Sequence, residues 1–201
     1  MPGEIFVVTA PSGTGKTTLL KNLMAADPRL KFSISYTTRP PRPREVPGQD
    51  YFFVSPEEFA RLRDSGALAE WVEQFGYGYG TSKEWINQAL NSGLDLVFDL
   101  DTRGAKALKE SFPQATLIFV VPPDFQELER RLKGRGDMDP RELARRLEQG
   151  KTEIKEIPWY DYLVVNADLS LAREQLRAIV IAARCRAQHV WPGMKGLFTS
   201  A

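Results

Sequence analysis

Residues Ile5 to Leu20 constrain this chain more than any other stretch. An apolar run from Ile5 to Thr9 enters the loop Ala10, Pro11, Ser12, Gly13, Thr14 and Gly15, and Lys16, Thr17 and Thr18 open a segment with helical periodicity. Glycines let backbone N–H groups approach an anion with no Cβ in the way, and the helix start aims its unsatisfied N–H groups and positive dipole end at the same point. The spacing predicts a phosphate cradle over Ala10 to Thr18, with Lys16 reaching the β- and γ-phosphates of a nucleoside triphosphate and the Thr17 hydroxyl coordinating Mg²⁺. Ala10 stands where the pattern has its first glycine. That glycine is the most replaceable member, because Gly13 and Gly15 make the close approach.

Composition excludes several chemistries. The 201 residues suit one domain, and 42% apolar residues suffice for a core without disulfide or metal staples. Twenty-seven basic residues against 26 acidic ones leave a formal net charge of +1, so no global field draws in nucleic acid or membrane. With one cysteine, Cys185, and one histidine, His189, the chain can assemble no disulfide framework, Cys/His zinc site or Ser-His-Asp triad. The sequence has no apolar run long enough to cross a bilayer, and Pro2, Gly3 and Glu4 lead directly into the first strand. The expectation is a soluble cytoplasmic protein with no nucleic-acid or membrane partner.

After a helix predicted from about Lys16 to Ala26, residues Phe32 to Thr38 alternate like a half-buried strand. Residues Arg39 to Gly48 hold several prolines and three arginines, which reads either as a solvated linker or as an extended arginine-bearing phosphate site. Tyr51 to Val54 is strand-like. Ser55, Pro56 and Glu58 form a capping-box helix start. Leu68 to Glu73 reads as a strand, and Gly76 to Ser82, with Tyr77 and Tyr79 between glycines, reads as a loop leading into a helix around Glu84 to Asn91.

Leu94 to Asp101 is an apolar strand whose end carries Asp99 and Asp101 on one side by the period of two. Carboxylates at the carboxyl end of a parallel strand suit Mg²⁺ or a ligand, although one could instead cap the following helix. Ala115 to Val121 fits a strand covered on both faces. Two arginine-bearing helices follow, the second from about Pro140, joined by a turn at Gly136 to Asp139. They form either a solvated hairpin or a lid that closes cations over triphosphate. Tyr162 to Asn166 is a last core strand, and Leu171 to about Gln188 an amphipathic helix holding Cys185 as a buried or half-buried thiol. The tail has no usable periodicity, and His189 has no visible partner.

Taken together, the phosphate loop, the stretch Ser35 to Arg42 with Glu45, Gly48 and Tyr51 to Val54, then Tyr79 to Thr81, Asp99 to Asp101 and Arg131 to Gly136 resemble the guanylate kinase family in one colinear order. The resemblance implies an α/β P-loop NTPase-like parallel-sheet core flanked by helices, with a core at about 1–34, 93–122 and 155–190. A GMP-binding insert would occupy about 35–92 and a helical lid about 123–154. It implies transfer of the ATP γ-phosphoryl group to GMP with Mg²⁺. Carried over residue by residue, Arg39, Arg42, Tyr51 and Tyr79 hold the GMP phosphate, while Ser35, Glu70, Thr81 and Asp101 read guanine. Lys16, Thr17 and Asp99 serve ATP and Mg²⁺, Arg135 and Arg146 are lid arginines at the triphosphate, and Asn166 lies near adenine. Lys16, Arg39, Arg135 and Arg146 are the expected catalytic set.

The chemistry supports the transfer of roles independently. Guanine presents N1–H and a 2-amino group side by side, so one carboxylate such as Glu70 accepts from both, whereas adenine turns a lone pair against it. No histidine base is required, because the acceptor is already an ionised phosphate and the work is alignment and charge neutralisation. The chain departs from the family pattern at Arg103, where a glutamine is usual, at Tyr77-Gly78, and at Ala167, where an acid is common. Two other readings remain at this stage: a non-catalytic interaction module of the same fold, and a related kinase for another small phosphorylated substrate. A nucleic-acid-dependent ATPase is disfavoured by the balanced charge.

Overall fold

The apolar runs pair as a parallel sheet. In the computed structural model, which describes residues 2–43, 45–74, 76–134 and 139–198, strands β1 (Ile5–Thr9), β2 (Leu30–Phe32), β7 (Asp95–Asp99), β8 (Thr116–Val121) and β9 (Tyr162–Val165) lie in the order β2-β7-β1-β8-β9. Every pairing among them is parallel. Alternate residues supply two hydrophobic layers, as the strand period requires. Phe6, Val8, Val97, Ile118 and Val120 face one way and pack on α1 (Lys16–Ala26) and α7 (Leu169–Arg184) through Leu19, Leu20, Leu23, Leu176 and Val180. Ile5, Val7, Leu96, Phe98 and Leu117 face the other way, against Ile86 and Leu90 of α3 (Lys83–Asn91) and Ala105 and Leu108 of α4 (Thr102–Ser111). With both faces covered, the carboxyl edge of the sheet is left as the place where loops gather.

A second, four-stranded sheet stands over that edge. Its strands are β3 (Ser35–Thr37), β4 (Tyr51–Phe53), β5 (Leu68–Gln74) and β6 (Tyr77–Ser82), in the order β4-β3-β6-β5, with α2 (Pro56–Asp64) between β4 and β5. The single strand expected over Phe32 to Thr38 is therefore two strands in two sheets. The Ser33 N–H still donates to Val97 O at 2.9 Å, and beyond it the chain leaves the core sheet.

Of the loop expected at Gly76 to Ser82, Gly76 is a turn residue at φ 79°, and Tyr77–Ser82 is strand β6. Its glycines serve packing rather than turning: a Cβ on Gly78 would stand 2.6 Å from the Phe59 ring, and one on Gly80 would meet Glu70 O at 2.8 Å. The helix expected from Leu171 to Gln188 stops at Arg184, and α8 (Ala187–Met194) follows after a break. Cys185 occupies that break and is exposed, not buried. His189 has a partner after all, Glu4 Oε1 at 2.9 Å, which ties α8 to the entry of β1. The remaining helices, α5 (Phe125–Lys133) and α6 (Pro140–Ile154), follow β8, and Leu128 and Leu132 of α5 are fully buried. No helix among the described residues is long and apolar enough to cross a membrane.

Candidate active site

Helices α2 to α7 each have a Ser or Asp side chain accepting from a first-turn N–H, but α1 does not. Its N-cap is Gly15 at φ 92°, so among the described residues the first-turn N–H groups have no side-chain acceptor, and they face the loop. Gly13 holds φ 95°, a left-handed conformation that only glycine adopts cheaply. The loop is braced from within and from behind. Thr14 Oγ1 donates to Pro11 O at 2.7 Å, and Thr14 O accepts from Asn166 Nδ2 at 2.7 Å and from Arg131 at 3.1 Å. Lys16 pairs with Asp99, the last residue of β7, whose strand neighbour β1 feeds the loop.

Residues Ala10 to Thr17 line a cavity of about 290 Å³ together with Asp99, Leu100, Asp101, Gln149 and Glu153. Thr18 is exposed and lies outside that lining. Arg146 reaches the loop by donating to Ser12 Oγ at 2.7 Å while also bonding Glu142. Arg135 lies outside the described residues. Thr17 and Asp99 both line this cavity, and a hydroxyl and a carboxylate are hard oxygen donors of the kind that suits Mg²⁺ when substrate phosphates and water complete the shell. Among the described residues, no group of three His, Cys, Asp or Glu side chains could hold an ion unaided.

The second sheet supplies a row of side chains that no local sequence pattern displays. Ser35 is paired with Tyr51 and Glu70 with Thr81, and the β3–β6 register sets Ser35 beside Thr81. Tyr51, Ser35, Thr81 and Glu70 thus form one transverse row across all four strands. The Thr81 hydroxyl donates to Glu70 Oε1 at 2.7 Å, so the 3.0 Å contact between Ser35 and Thr81 is made by the Ser35 proton. Glu70 is 4% exposed; burial pushes its carboxyl up to about 7, against the hydrogen bonds from Thr81, with the nearby Asp101 charge adding to the rise.

Ser35, Arg42, Tyr51, Glu70, Tyr79 and Asp101 line a cavity of about 400 Å³, along with Val72, Asp99, Leu100, Arg103, Gly104 and Gln149. Arg39 sits beside it rather than in its lining. Its guanidinium bonds both Glu45 oxygens at 2.8 and 3.0 Å and lies over the Tyr51 ring at 5.5 Å, and this carboxylate holds it firmly charged. Asp101 serves twice: Oδ1 caps α4 by accepting from Gly104 N–H at 2.8 Å, and the residue also lines both cavities. Arg103, the departure noted above, pairs with Asp101 at 3.3 Å. Gln149 and Glu153 carried no signal in the sequence, since charged and amide residues at helical spacing look like a solvated face; Arg131 stood in the family motif, but its brace on Thr14 O did not show there. A third cavity, of about 420 Å³, lies between α1 and α7 away from all of these residues, so its size says nothing about the site.

A phosphate loop under one cavity, and beside it a second cavity over a row of polar side chains with a buried acid, place the chain in the class of P-loop phosphotransferases. The guanylate kinase family model matches residues 3–183. The chain is 43% identical over 197 residues to a guanylate kinase of Geobacter sulfurreducens, covering 98% of this chain and 97% of that protein. It is 45% identical over 184 residues to one of Geobacter metallireducens, covering 92% and 91%. The crystal structure of guanylate kinase from Anaplasma phagocytophilum superposes with a TM-score of 0.73 at 31% identity, covering 99% of this chain and 95% of that one. This chain belongs to the guanylate kinase family.

Proposed function

We propose that the protein transfers the γ-phosphoryl group of ATP to GMP, and to dGMP, releasing ADP and GDP in purine nucleotide metabolism. The observation that carries this reading is Glu70, a buried carboxylate in a polar row that faces a cavity abutting the phosphate loop. ATP takes the loop cavity, with Lys16 and the open end of α1 on its phosphates and Arg146 and Arg135 closing from the lid. GMP takes the second cavity, with Glu70, Thr81, Ser35 and Asp101 reading guanine and Arg39, Arg42, Tyr51 and Tyr79 on its phosphate. The division into a core, an insert at about 35–92 and a lid at about 123–154 belongs to the same proposal.

Thr17 and Asp99 would hold Mg²⁺, which when bound neutralises charge on the β- and γ-phosphates. The protein itself needs no nucleophile. It aligns two phosphates, keeps water out and surrounds the transferring group with cations. The ionised form of Glu70 is the one that accepts from both guanine donors, and its neighbour Thr81 already donates to it. The test offers GMP, dGMP, AMP, CMP, UMP and IMP in turn with ATP and Mg²⁺ and measures ADP release. The proposal requires GMP and dGMP to be the preferred acceptors; equal or faster turnover with AMP would overturn it.

A further inference from the structure

We infer that Gln149 is a further catalytic residue, one that contacts the phosphoryl group in transit; the inference rests on the phosphotransfer reading above. Four described residues line both cavities: Asp99, Leu100, Asp101 and Gln149. The first three come from the end of β7 and the turn after it. Gln149 alone comes from the facing helix, α6, and so stands where the loop cavity opens into the acceptor cavity.

The reaction has to pass that junction. An oxygen of the GMP phosphate bonds to the γ-phosphorus as the bond from that phosphorus to the β,γ-bridging oxygen breaks, and ADP leaves with the electron pair. A dianionic acceptor brings no proton, so none has to be removed. Charge is spread over the three equatorial oxygens of the group in flight. The β7 side of the junction offers carboxylates, which repel those oxygens unless a cation intervenes. An uncharged amide with two N–H donors is the complementary wall.

Gln149 is also held in place. Its Nε2 donates to Glu153 Oε1 at 2.8 Å, one turn along, which uses one N–H and leaves the other without a partner among the described residues. Glu153 is half-buried in the loop cavity, where Lys16 and Asp101 are its charged neighbours. Between the two, Gly150 is buried against the loop: a Cβ there would lie 3.2 Å from Leu128 Cδ2 and 3.5 Å from Pro11 Cβ. This part of α6 therefore rests directly on the phosphate loop, and Gln149 keeps its position relative to the donor phosphates. Glu153 is a positioning residue in this arrangement.

The experiment is steady-state kinetics with ATP, Mg²⁺ and GMP on wild type, Gln149→Ala, Gln149→Glu, Glu153→Gln and the double variant Gln149→Ala/Glu153→Gln. Gln149 is exposed, so melting temperatures should not move. Gln149→Ala should lower kcat by about 10-fold or more with the KM of either nucleotide changed less than about twofold, the pattern of a contact made only in the transition state. Gln149→Glu should be slower still. Glu153→Gln should show part of the loss, and the double variant should be no slower than Gln149→Ala. A readout without turnover is titration of ADP, aluminium fluoride and GMP together, which should weaken in Gln149→Ala by the same factor while GMP alone binds normally. Unchanged kcat, or a raised GMP KM at unchanged kcat, would overturn the inference. A wild type that does not phosphorylate GMP would instead remove the reading beneath it.

Discussion

Thr81 Oγ1 donates a 2.7 Å hydrogen bond to Glu70 Oε1 across the β5–β6 pair, and burial around that contact lifts the carboxyl from its ordinary 4.5 to about 7. Between those two values the folded protein holds a proton that the unfolded chain has released. Stability contributed by Glu70 is thus fully present below about pH 4.5 and is lost as pH rises through about 7. A shift of this size corresponds to about 3 kcal/mol at most. Glu70→Gln, which cannot ionise, should therefore raise the Tm of the ligand-free protein by roughly 5–10 °C at pH 8 and leave it nearly unchanged at pH 4.5. Calorimetry at the two pH values checks this; an equal shift at both would mean that the carboxylate is not the strained form.

Lys16 meets Asp99 at the mouth of the loop and is partly exposed, so Lys16→Met should fold normally. Loss of its charge from the transferring group should lower kcat by about 10²-fold or more, as removal of a preorganised donor does. Near-normal turnover by a folded Lys16→Met protein would contradict the kinase mechanism.

Asn166 is 4% exposed and spends its amide on Thr14 O, 152 residues away in sequence. Asn166→Ala should leave that carbonyl with Arg131 as its remaining described partner and open a small void, at a cost of about 1–3 kcal/mol. The expected result is a lower Tm together with a KM for ATP raised more than that for GMP. An unaltered Tm and an unaltered ATP KM would show that the loop does not depend on this brace.

The parallel core and the phosphate loop were legible because each is written in contiguous residues: Ile5 to Thr9 and Thr116 to Val121 are unbroken apolar runs, and the loop residues follow one another. What lay beyond local reading is long-range pairing. Tyr77 to Ser82 looks like a turn because its glycines are conspicuous, yet the reason for Gly78 and Gly80 is the crowding of Phe59 and of β5, which fold onto them from elsewhere. His189 found Glu4 and Arg184 found Asp27 across most of the chain, and Arg184 also found Asp95, 89 residues away. The resemblance named Ser35, Glu70, Tyr51 and Thr81 singly; that they make one transverse row follows from strand register, which no spacing in the sequence encodes. Gln149 and Glu153 stayed hidden for the opposite reason, since an i,i+4 amide–carboxylate pair is what an ordinary solvated helix carries.

Glu70 is the proposed reader of guanine, and IMP is the sharpest probe of that role because it keeps the N1–H and lacks only the 2-amino group. Losing one of two hydrogen bonds to a carboxylate should cost roughly 1.5–3 kcal/mol, so wild type should prefer GMP over IMP by about 10- to 150-fold in kcat/KM. Glu70→Ala should weaken GMP far more than IMP and pull the ratio down toward the part owed to Asp101. The measurement is kcat/KM for both nucleotides with both proteins, at fixed ATP and Mg²⁺ and at pH 8, where the carboxyl is ionised. A collapsed GMP/IMP ratio in Glu70→Ala is the predicted result, and a ratio equal to that of wild type would contradict the account.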